Sequence, residues 1–320
     1  MESHGPAPVR DSAQQIDDNS WLIGNKYILR HVREPYTDDC LLRNSDGSCY
    51  TLSLAPALLP ATTPLVPKTG RVQLIHDAGD SSAGFKFDNA LIMKVKLLRP
   101  DVTGLPEHEI LNFLAKQQLS FKIPTVLFHT LDGDRTYLIE TCMPDKRLNE
   151  LWWDMNAQEK EHITTRVAEI VSELEVFESE VMTTLDNRWM DPYLEGDQLT
   201  GVPEELAKRC ARLGMDCSKF VFAHNDLGPT NILVDGDDIT VIDWDLAGYY
   251  PLQWLRTKFA ICHALCPERG ELETHELDYA YATTIEKKLE DMGFPEVTAA
   301  WKELYEARLV EWIAQRPHLQ

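Results

Sequence analysis

The segment that most constrains the fold runs from residue 220 to residue 245 and reads FVFAHNDLGPTNILVDGDDITVIDWD. Two apolar runs, Phe220–Ala223 and Ile239–Ile242, each end in polar residues, and a shorter apolar run, Ile232–Val234, lies between them. The turn residues 235–238 (Asp-Gly-Asp-Asp) predict that the second and third runs pair as a β-hairpin. We therefore expect three polar side chains to lie close together at the strand ends: Asp226, Asn231 and Asp243.

The residue types in this segment suit phosphoryl transfer. One carboxylate can accept the proton of an attacking hydroxyl, while an amide and a second carboxylate can hold the Mg²⁺ ions that neutralise the phosphates. The alternative is that Asp226 and Asn231 are only turn residues, because Asp and Asn are common in loops. His224 and the second acid beyond an apolar hairpin argue against that alternative. We expect His224 to be structural, with hydrogen bonds to the backbone that fix the shape of the loop.

The stretch HNDLGPTNI at 224–232, followed by VIDWD at 241–245, resembles the aminoglycoside phosphotransferase family, which includes choline-kinase-like enzymes. Residues 243–251 (DWDLAGYYP) are similar to that family's Asp-Trp-Glu-x-Ala-Gly-x-x-Pro segment, especially in fungal members. The resemblance runs from about Arg71 to the C-terminus. Asn225 departs from the pattern, because the family more often has Gly there, and we expect little consequence. The resemblance implies an α+β, two-lobed protein-kinase-like fold, with a small β-rich N-lobe and a larger, mainly helical C-lobe.

The same resemblance implies an ATP- and Mg²⁺-dependent phosphotransferase, a small-molecule kinase with an alcohol group as acceptor. Asp226 would be the catalytic base, and Asn231 and Asp243 would bind the metal. The acceptor would be a small hydroxylated molecule such as an amine, an aminoglycoside or a secondary metabolite. Two other classes stay open, a pseudokinase that serves as a nucleotide-binding scaffold and a protein kinase. The protein kinase is less favoured, because Asp-Trp-Asp at 243–245 stands in place of Asp-Phe-Gly and no Ala-Pro-Glu segment follows.

Lys94 lies in the apolar run Leu91–Val95, and a lysine in such a strand is costly to bury unless it is paired. By the resemblance it would bind the phosphates of ATP and pair with a glutamate on the following helix. Glu109 is the expected partner and Glu107 the alternative. Lys96 points to the same face of the strand and competes for the role, but Lys94 matches the motif position.

Three consecutive strands have the order of a kinase small lobe: residues 71–77, 83–87 and 90–97. By the resemblance, the loop between the first two would cover the nucleotide phosphates, with Ser81 or Ser82 as donors. The loop lacks a G-x-G-x-x-G pattern, so an ordinary hairpin turn is a nearly equal interpretation.

A further short strand, residues 136–139, leads into the segment that would link the two lobes. By the resemblance, backbone groups of this linker, at Glu140 and Cys142, would bind the adenine edge. The sequence itself shows only a strand that is followed by Pro144 and a loop.

The chain is predicted to contain four regions: residues 1–20 without regular structure, an N-terminal extension at 21–70 with a β-hairpin and a Pro-rich connector, an N-lobe at 71–143 and a C-lobe at 144–320. Asn156 and Glu159 predict a capping box at the start of a long C-lobe helix. Three later helices are predicted at residues 252–265, 272–292 and 295–315, and by the resemblance they would form the substrate wall.

The formal net charge of −21 argues against nucleic acid or an anionic membrane as the main partner. It favours a cationic or neutral substrate. We expect a cationic acceptor or one that carries an amine, although charge that serves only solubility is a comparable interpretation. Four acids fall in a loop expected near the cleft: Asp186, Asp191, Glu195 and Asp197. Seven cysteines without a regular spacing, and the absence of a long apolar run, predict a soluble, reduced, cytoplasmic protein.

Overall fold

A computed structural model describes these parts of the chain: residues 8–33, 40–65, 70–98, 107–143, 146–183, 194, 203–261 and 272–314. The chain divides into two compact units: Met1–Asp101 with Pro124–Pro144, and Val102–Ile123 with Asp145–Gln320. The first unit is built mainly of strands, and every described α-helix lies in the second. The predicted α+β fold class, with a β-rich N-terminal part and a mainly helical C-terminal part, is therefore confirmed.

The first unit begins with a six-stranded antiparallel sheet in the order β4-β5-β3-β2-β1-β6. Its strands are β1 (Ala13–Asp17), β2 (Ser20–Ile23), β3 (Tyr27–Arg33), β4 (Cys40–Arg43), β5 (Ser48–Leu54) and β6 (Thr63–Pro64). The hairpin of β4 and β5 turns at residues 44–47, as the sequence predicts.

The expectation that residues 1–20 lack regular structure is wrong for the described part of that segment. Val9–Ser12 form a 3₁₀ helix, and β1 pairs with both β2 and β6. Val9 and Ala13 are buried, and they anchor an otherwise polar segment. Strand pairing satisfies backbone groups and needs no apolar side chains, so the segment shows no hydrophobic periodicity.

A second antiparallel sheet has the order β10-β11-β9-β8-β7. Its strands are β7 (Val72–Asp77), β8 (Ser82–Phe87), β9 (Leu91–Leu97), β10 (Val126–Asp132) and β11 (Arg135–Thr141). Both sheets contribute to one hydrophobic core, in which Trp21 of β2 meets Phe87 of β8 edge to face at 5.3 Å. The N-terminal extension is therefore part of the same packed unit as the sheet that carries Lys94.

The second unit contains seven described α-helices: α1 (Glu107–Leu114), α2 (Leu148–Leu151), α3 (Ala157–Leu174), α4 (Pro203–Arg212), α5 (Leu252–Ala260), α6 (Leu272–Asp291) and α7 (Thr298–Ala314). The predicted capping box of α3 is confirmed, because Asn156 Oδ1 accepts from the Glu159 backbone and Glu159 Oε2 accepts from the Asn156 backbone. No helix of the described residues is both long and apolar enough to cross a membrane.

Two small three-stranded sheets position the polar residues of the second unit. One has the order β12-β15-β16, formed by Lys146–Arg147, Ile232–Asp235 and Asp238–Val241. The other has the order β13-β14-β17, formed by Glu178–Ser179, Phe220–Ala223 and Gly248–Tyr250. Strands β15 and β16 form the predicted hairpin.

Replacing Gly24 by Ala is expected to destabilise the first unit more than replacing Gly133 by Ala. Both glycines have positive φ, +56° and +61°, so alanine suffers similar left-handed strain at each, about 1–2 kcal/mol. A Cβ at Gly24 would also lie 2.6 Å from the Tyr137 hydroxyl, whereas nothing lies within 4 Å at Gly133. Overpacking of this kind costs about 1–3 kcal/mol, which urea unfolding of the two variants would measure. Equal losses would contradict the close packing of the N-terminal sheet on Tyr137.

Candidate active site

The loop after β14 brings Asp226 and Asn231 together. Asn231 Nδ2 donates to Asp226 Oδ2 and to the Asp226 carbonyl oxygen, each at 2.9 Å. The Asn231 backbone N–H donates to the Gly228 carbonyl oxygen at 3.0 Å, which closes the loop between them. Asn231 is buried. Because the amide nitrogen is used in this way, the Asn231 side chain has its oxygen as the atom suited to a metal ion.

His224 fixes this loop from within, as expected for a structural histidine. Its Nδ1 accepts from the Asp226 backbone N–H at 3.1 Å, and its Nε2 lies 3.0 Å from the Ile242 carbonyl oxygen. A carbonyl oxygen only accepts and a backbone N–H only donates, so the ring is neutral with its proton on Nε2. The Ile242 backbone N–H donates to the Asn231 carbonyl oxygen at 3.0 Å. The residue before Asp243 is therefore tied to both His224 and Asn231.

Asp243 has a left-handed backbone, with φ +62° and ψ 67°. Such a conformation is uncommon for a residue other than glycine, and strain of this kind persists where the surroundings enforce it. The next residue, Trp244, is fully buried; its Nε1 donates to the Val241 carbonyl oxygen at 3.0 Å and its ring stacks on Phe121. The packing of Trp244 accounts for the strained conformation of the residue before it.

Three carboxylates, those of Glu107, Asp243 and Asp245, have oxygen atoms within 4.8 Å of one another. Glu107 is only 4% exposed, and its Oε1 accepts from the Trp244 backbone N–H at 3.1 Å. Clustered carboxylates repel one another unless protons or cations balance their charge. Oxygen ligands of this type are those that Mg²⁺ prefers, so the donor set fits a hard divalent cation.

The two candidate glutamates of α1 have different environments. Glu107 is buried beside Asp243, whereas Glu109, the expected partner of Lys94, is exposed. Residues two positions apart in a helix do not share a face, so Glu107 and Glu109 point to different sides of α1. Glu107, the alternative partner predicted from the sequence, is thus the glutamate that is buried beside Asp243 and Asp245.

Lys94 is mostly buried in β9, and its Nζ lies 3.2 Å from Oε1 of Glu140 in β11. Glu140 is 2% exposed, so the ion pair is largely buried within this sheet. Sequence reasoning missed the ion pair. The signal was Glu140 itself, an acid directly after the apolar run Tyr137–Ile139. Cys142, the other predicted linker contact, donates its backbone N–H to the Ala90 carbonyl oxygen at 2.8 Å.

The loop between β7 and β8 is a closed hairpin turn. Ser81 Oγ donates to the Ala78 carbonyl oxygen at 2.8 Å, and Ser82 Oγ lies 3.1 Å from His76 Nε2. Both hydroxyls therefore have partners within the hairpin, which agrees with the interpretation of this loop as an ordinary turn. The predicted acidic loop residues Asp186, Asp191, Glu195 and Asp197 lie outside the described residues.

The departure at Asn225 has a conformational basis. Its φ is +65°, a value that glycine adopts without penalty and that asparagine tolerates better than most other residues. Its Oδ1 accepts from Trp254 Nε1 of α5 at 2.9 Å. Asparagine thus serves here both as a residue with positive φ and as a hydrogen-bond acceptor.

Replacing His224 by Phe is expected to lower the free energy of unfolding by about 2–6 kcal/mol. Phenylalanine keeps a ring against Trp244 but removes the partners of the Asp226 N–H and the Ile242 carbonyl, and each such loss costs about 1–3 kcal/mol. His162→Phe is the control, because the His162 side chain is 47% exposed and surface changes usually stay within about 0.5 kcal/mol. Urea unfolding measures both. A His224→Phe protein as stable as the wild type would contradict the bridging role of the imidazole.

Comparison with known proteins adds a family match and remote structural likenesses. No curated protein matches the chain. The gentamicin complex of APH(2'')-IIa is 18% identical over 77% of this chain and 83% of that one, with a TM-score of 0.47. Aminoglycoside-3'-phosphotransferase of type VIII is 16% identical over 75% and 94%, with a TM-score of 0.45. Aminoglycoside phosphotransferase APH(3'')-Id from Streptomyces rimosus is 17% identical over 72% and 90%, with a TM-score of 0.44.

The model of the phosphotransferase enzyme family matches residues 73–254. The matched range includes Lys94, Glu107, Asp226, Asn231 and Asp243. The finer likeness to fungal members stays a prediction. Because the match covers more than half of the 320 residues, the chain belongs to the phosphotransferase enzyme family.

Proposed function

We propose that the protein transfers a phosphoryl group from ATP, with Mg²⁺, to a hydroxyl of a small molecule. The observation that carries the proposal is the hydrogen-bonded set of Asp226, Asn231 and the backbone that leads into Asp243. Phosphoryl transfer needs a positioned carboxylate for the acceptor hydroxyl and oxygen ligands for the metal. Family membership supports the same reaction class.

In this proposal Asp226 is the catalytic base. Its Oδ2 accepts from Asn231 Nδ2, and this hydrogen bond would fix the orientation of the carboxylate toward the acceptor hydroxyl. The acceptor hydroxyl would donate its proton to Asp226 as its oxygen forms a bond to the γ-phosphorus of ATP. The bond from that phosphorus to the bridging oxygen would break, and ADP would leave. The neutral His224 holds the backbone of Asp226 and so keeps the carboxylate in place.

Asn231 and Asp243 are the proposed metal ligands, and Asp245 and Glu107 add negative charge beside Asp243. A bound Mg²⁺ would neutralise the phosphate oxygens and the charge that develops on them. The Asn231 side chain would contribute its oxygen and Asp243 a carboxylate oxygen. Glu107 would hold the backbone of Trp244 through Oε1, which maintains the left-handed conformation of Asp243.

Lys94 is the proposed cation for the phosphates of ATP, and its ion pair with Glu140 would hold the ammonium group in place. We propose Glu107, and not Glu109, as the helix glutamate that supports the site, because Glu107 is buried and Glu109 is exposed. Ser81 and Ser82 stay proposed phosphate donors that would exchange their hydrogen bonds within the hairpin for phosphate.

The proposed acceptor is a hydroxylated small molecule that carries an amine. The motivation is the excess of 52 acidic over 31 basic residues, which attracts cations and speeds their encounter with the protein. Aminoglycosides, simple amino alcohols and neutral secondary metabolites, tested side by side for acceptor-dependent ADP release, distinguish this proposal from a neutral acceptor. Turnover of neutral compounds alone would refute the charge preference and leave the reaction class intact.

Replacing Asp226 by Asn is expected to lower kcat by about 10²–10⁴-fold, the usual contribution of a positioned proton acceptor. The KM for ATP should change little, because this carboxylate faces the acceptor hydroxyl in the proposal. The measurement is Mg²⁺-dependent ADP release with the best acceptor of the screen. Asp235→Asn is the matched control, since Asp235 is an exposed acid at the end of β15 in the same hairpin. Wild-type turnover in Asp226→Asn would refute the assigned role.

A further inference from the structure

The peptide bond between Asn225 and Asp226 is held at both of its polar ends. Its carbonyl oxygen accepts a hydrogen bond from the Nζ of Lys258, and its N–H donates to His224 Nδ1 at 3.1 Å. The rotation of this peptide sets the position of the Asp226 Cα and hence the direction of its side chain. A group that holds the carbonyl therefore acts on Asp226 without touching it.

Lys258 is 3% exposed and lies in α5 beside an apolar cavity lined by Val171, Leu174, Leu255 and Phe259. An ammonium group in such surroundings is costly unless it is hydrogen-bonded or paired. An apolar residue of the same length would fill this position at a lower cost in stability. The lysine at this position therefore has a role other than packing, and its contact with the catalytic loop indicates what that role is.

Two more side chains from the helices contact residues 225–227 of the loop. Trp254, one turn before Lys258 on the same face of α5, donates from Nε1 to Asn225 Oδ1 at 2.9 Å. Tyr281 of α6 donates from its hydroxyl to the Leu227 carbonyl oxygen at 2.8 Å. The residues on either side of Asp226 are thus attached to buried side chains of two different helices.

We propose that Lys258 is a positioning residue for Asp226, and that Lys258, Trp254 and Tyr281 together form a helix clamp on the catalytic loop. The clamp holds Asn225 in its left-handed conformation, φ +65°, and fixes the peptide that precedes the catalytic carboxylate. The effect of the clamp on turnover rests on the proposed phosphotransferase function. The effect of the clamp on the mobility of the loop is independent of that function.

The test compares Lys258→Met with Lys288→Met. Methionine keeps most of the length of lysine and removes the donor in both variants. Lys288 is a suitable control because its side chain is also mostly buried, at 17% exposure, and pairs with Glu161 away from the loop. The first readout is hydrogen exchange of the amides in residues 224–231. The second is the rate of MgATP hydrolysis by water, which needs no knowledge of the acceptor.

Lys258→Met is expected to speed amide exchange in residues 224–231 at least tenfold and to lower kcat by about 10–100-fold, the effect of a misplaced reacting group. The KM for ATP should stay within about twofold, because the clamp does not include the proposed nucleotide contacts. Lys288→Met should leave the exchange of this loop and kcat unchanged. Tyr281→Phe removes one hydroxyl without changing the ring, and it should give the same pattern at a smaller size. If Lys258→Met does not fold, the amide exchange of residues 224–231 in Tyr281→Phe tests the clamp, and wild-type exchange in that variant would overturn it.

A folded Lys258→Met protein with wild-type exchange in residues 224–231 would overturn the inference, even if its activity fell. A fall in kcat of equal size in Lys288→Met would also overturn it, since the loss would then follow from any buried lysine. If the wild type neither hydrolyses MgATP nor releases ADP with any acceptor of the screen, the proposed function fails, while faster exchange in Lys258→Met would still support the clamp.

Discussion

The imidazole of His224 joins the two pieces of backbone that carry the acids of the site. His224 follows β14 and Ile242 follows β16, and these strands belong to different three-stranded sheets. One buried ring, with a proton on one nitrogen only, connects the Asp226 N–H to the Ile242 carbonyl. A short chain of hydrogen bonds therefore connects the backbone of Asp226 to the residue before Asp243. A protonated or missing imidazole would break that chain at Asp226.

Both units bury charged side chains. Lys94 and Glu140 form an ion pair within one sheet, Glu107 is buried beside Asp243, and Lys258 is buried beneath the catalytic loop. Buried charges seldom increase stability over apolar residues of similar size, and perturbed or clustered ionisable groups mark functional sites. The same logic favours Glu107 over the exposed Glu109. The fold accepts a cost in stability at these positions, and the proposed phosphoryl transfer would explain their types.

The parts of the site that depend on local spacing could be predicted from the sequence, and the parts that depend on distant contacts could not. The hairpin after Asn231 and the capping box of α3 follow from neighbouring residues and both are present. The strand β1 was missed because backbone pairing leaves no pattern in polar side chains. The ion pair of Glu140 with Lys94 and the contact of Lys258 with Asn225 were missed for another reason: the partners lie 46 and 33 residues apart in the chain. Their significance appears only when strands and helices are packed.

The central claim is tested most directly by the Mg²⁺ dependence of nucleotide binding, measured as the shift in melting temperature. ATP with Mg²⁺ should raise the melting temperature of the wild type more than ATP or Mg²⁺ alone, since a ligand at 100 times its Kd stabilises by about 2.7 kcal/mol. Asp243→Asn should lose the Mg²⁺-dependent part while keeping its own melting temperature, because asparagine tolerates the left-handed backbone at this position. Asp237→Asn, at a fully exposed turn of the hairpin, should behave as the wild type. A wild-type protein with no shift in any of these conditions, or an Asp243→Asn protein with the full Mg²⁺-dependent shift, would contradict the assignment of this site.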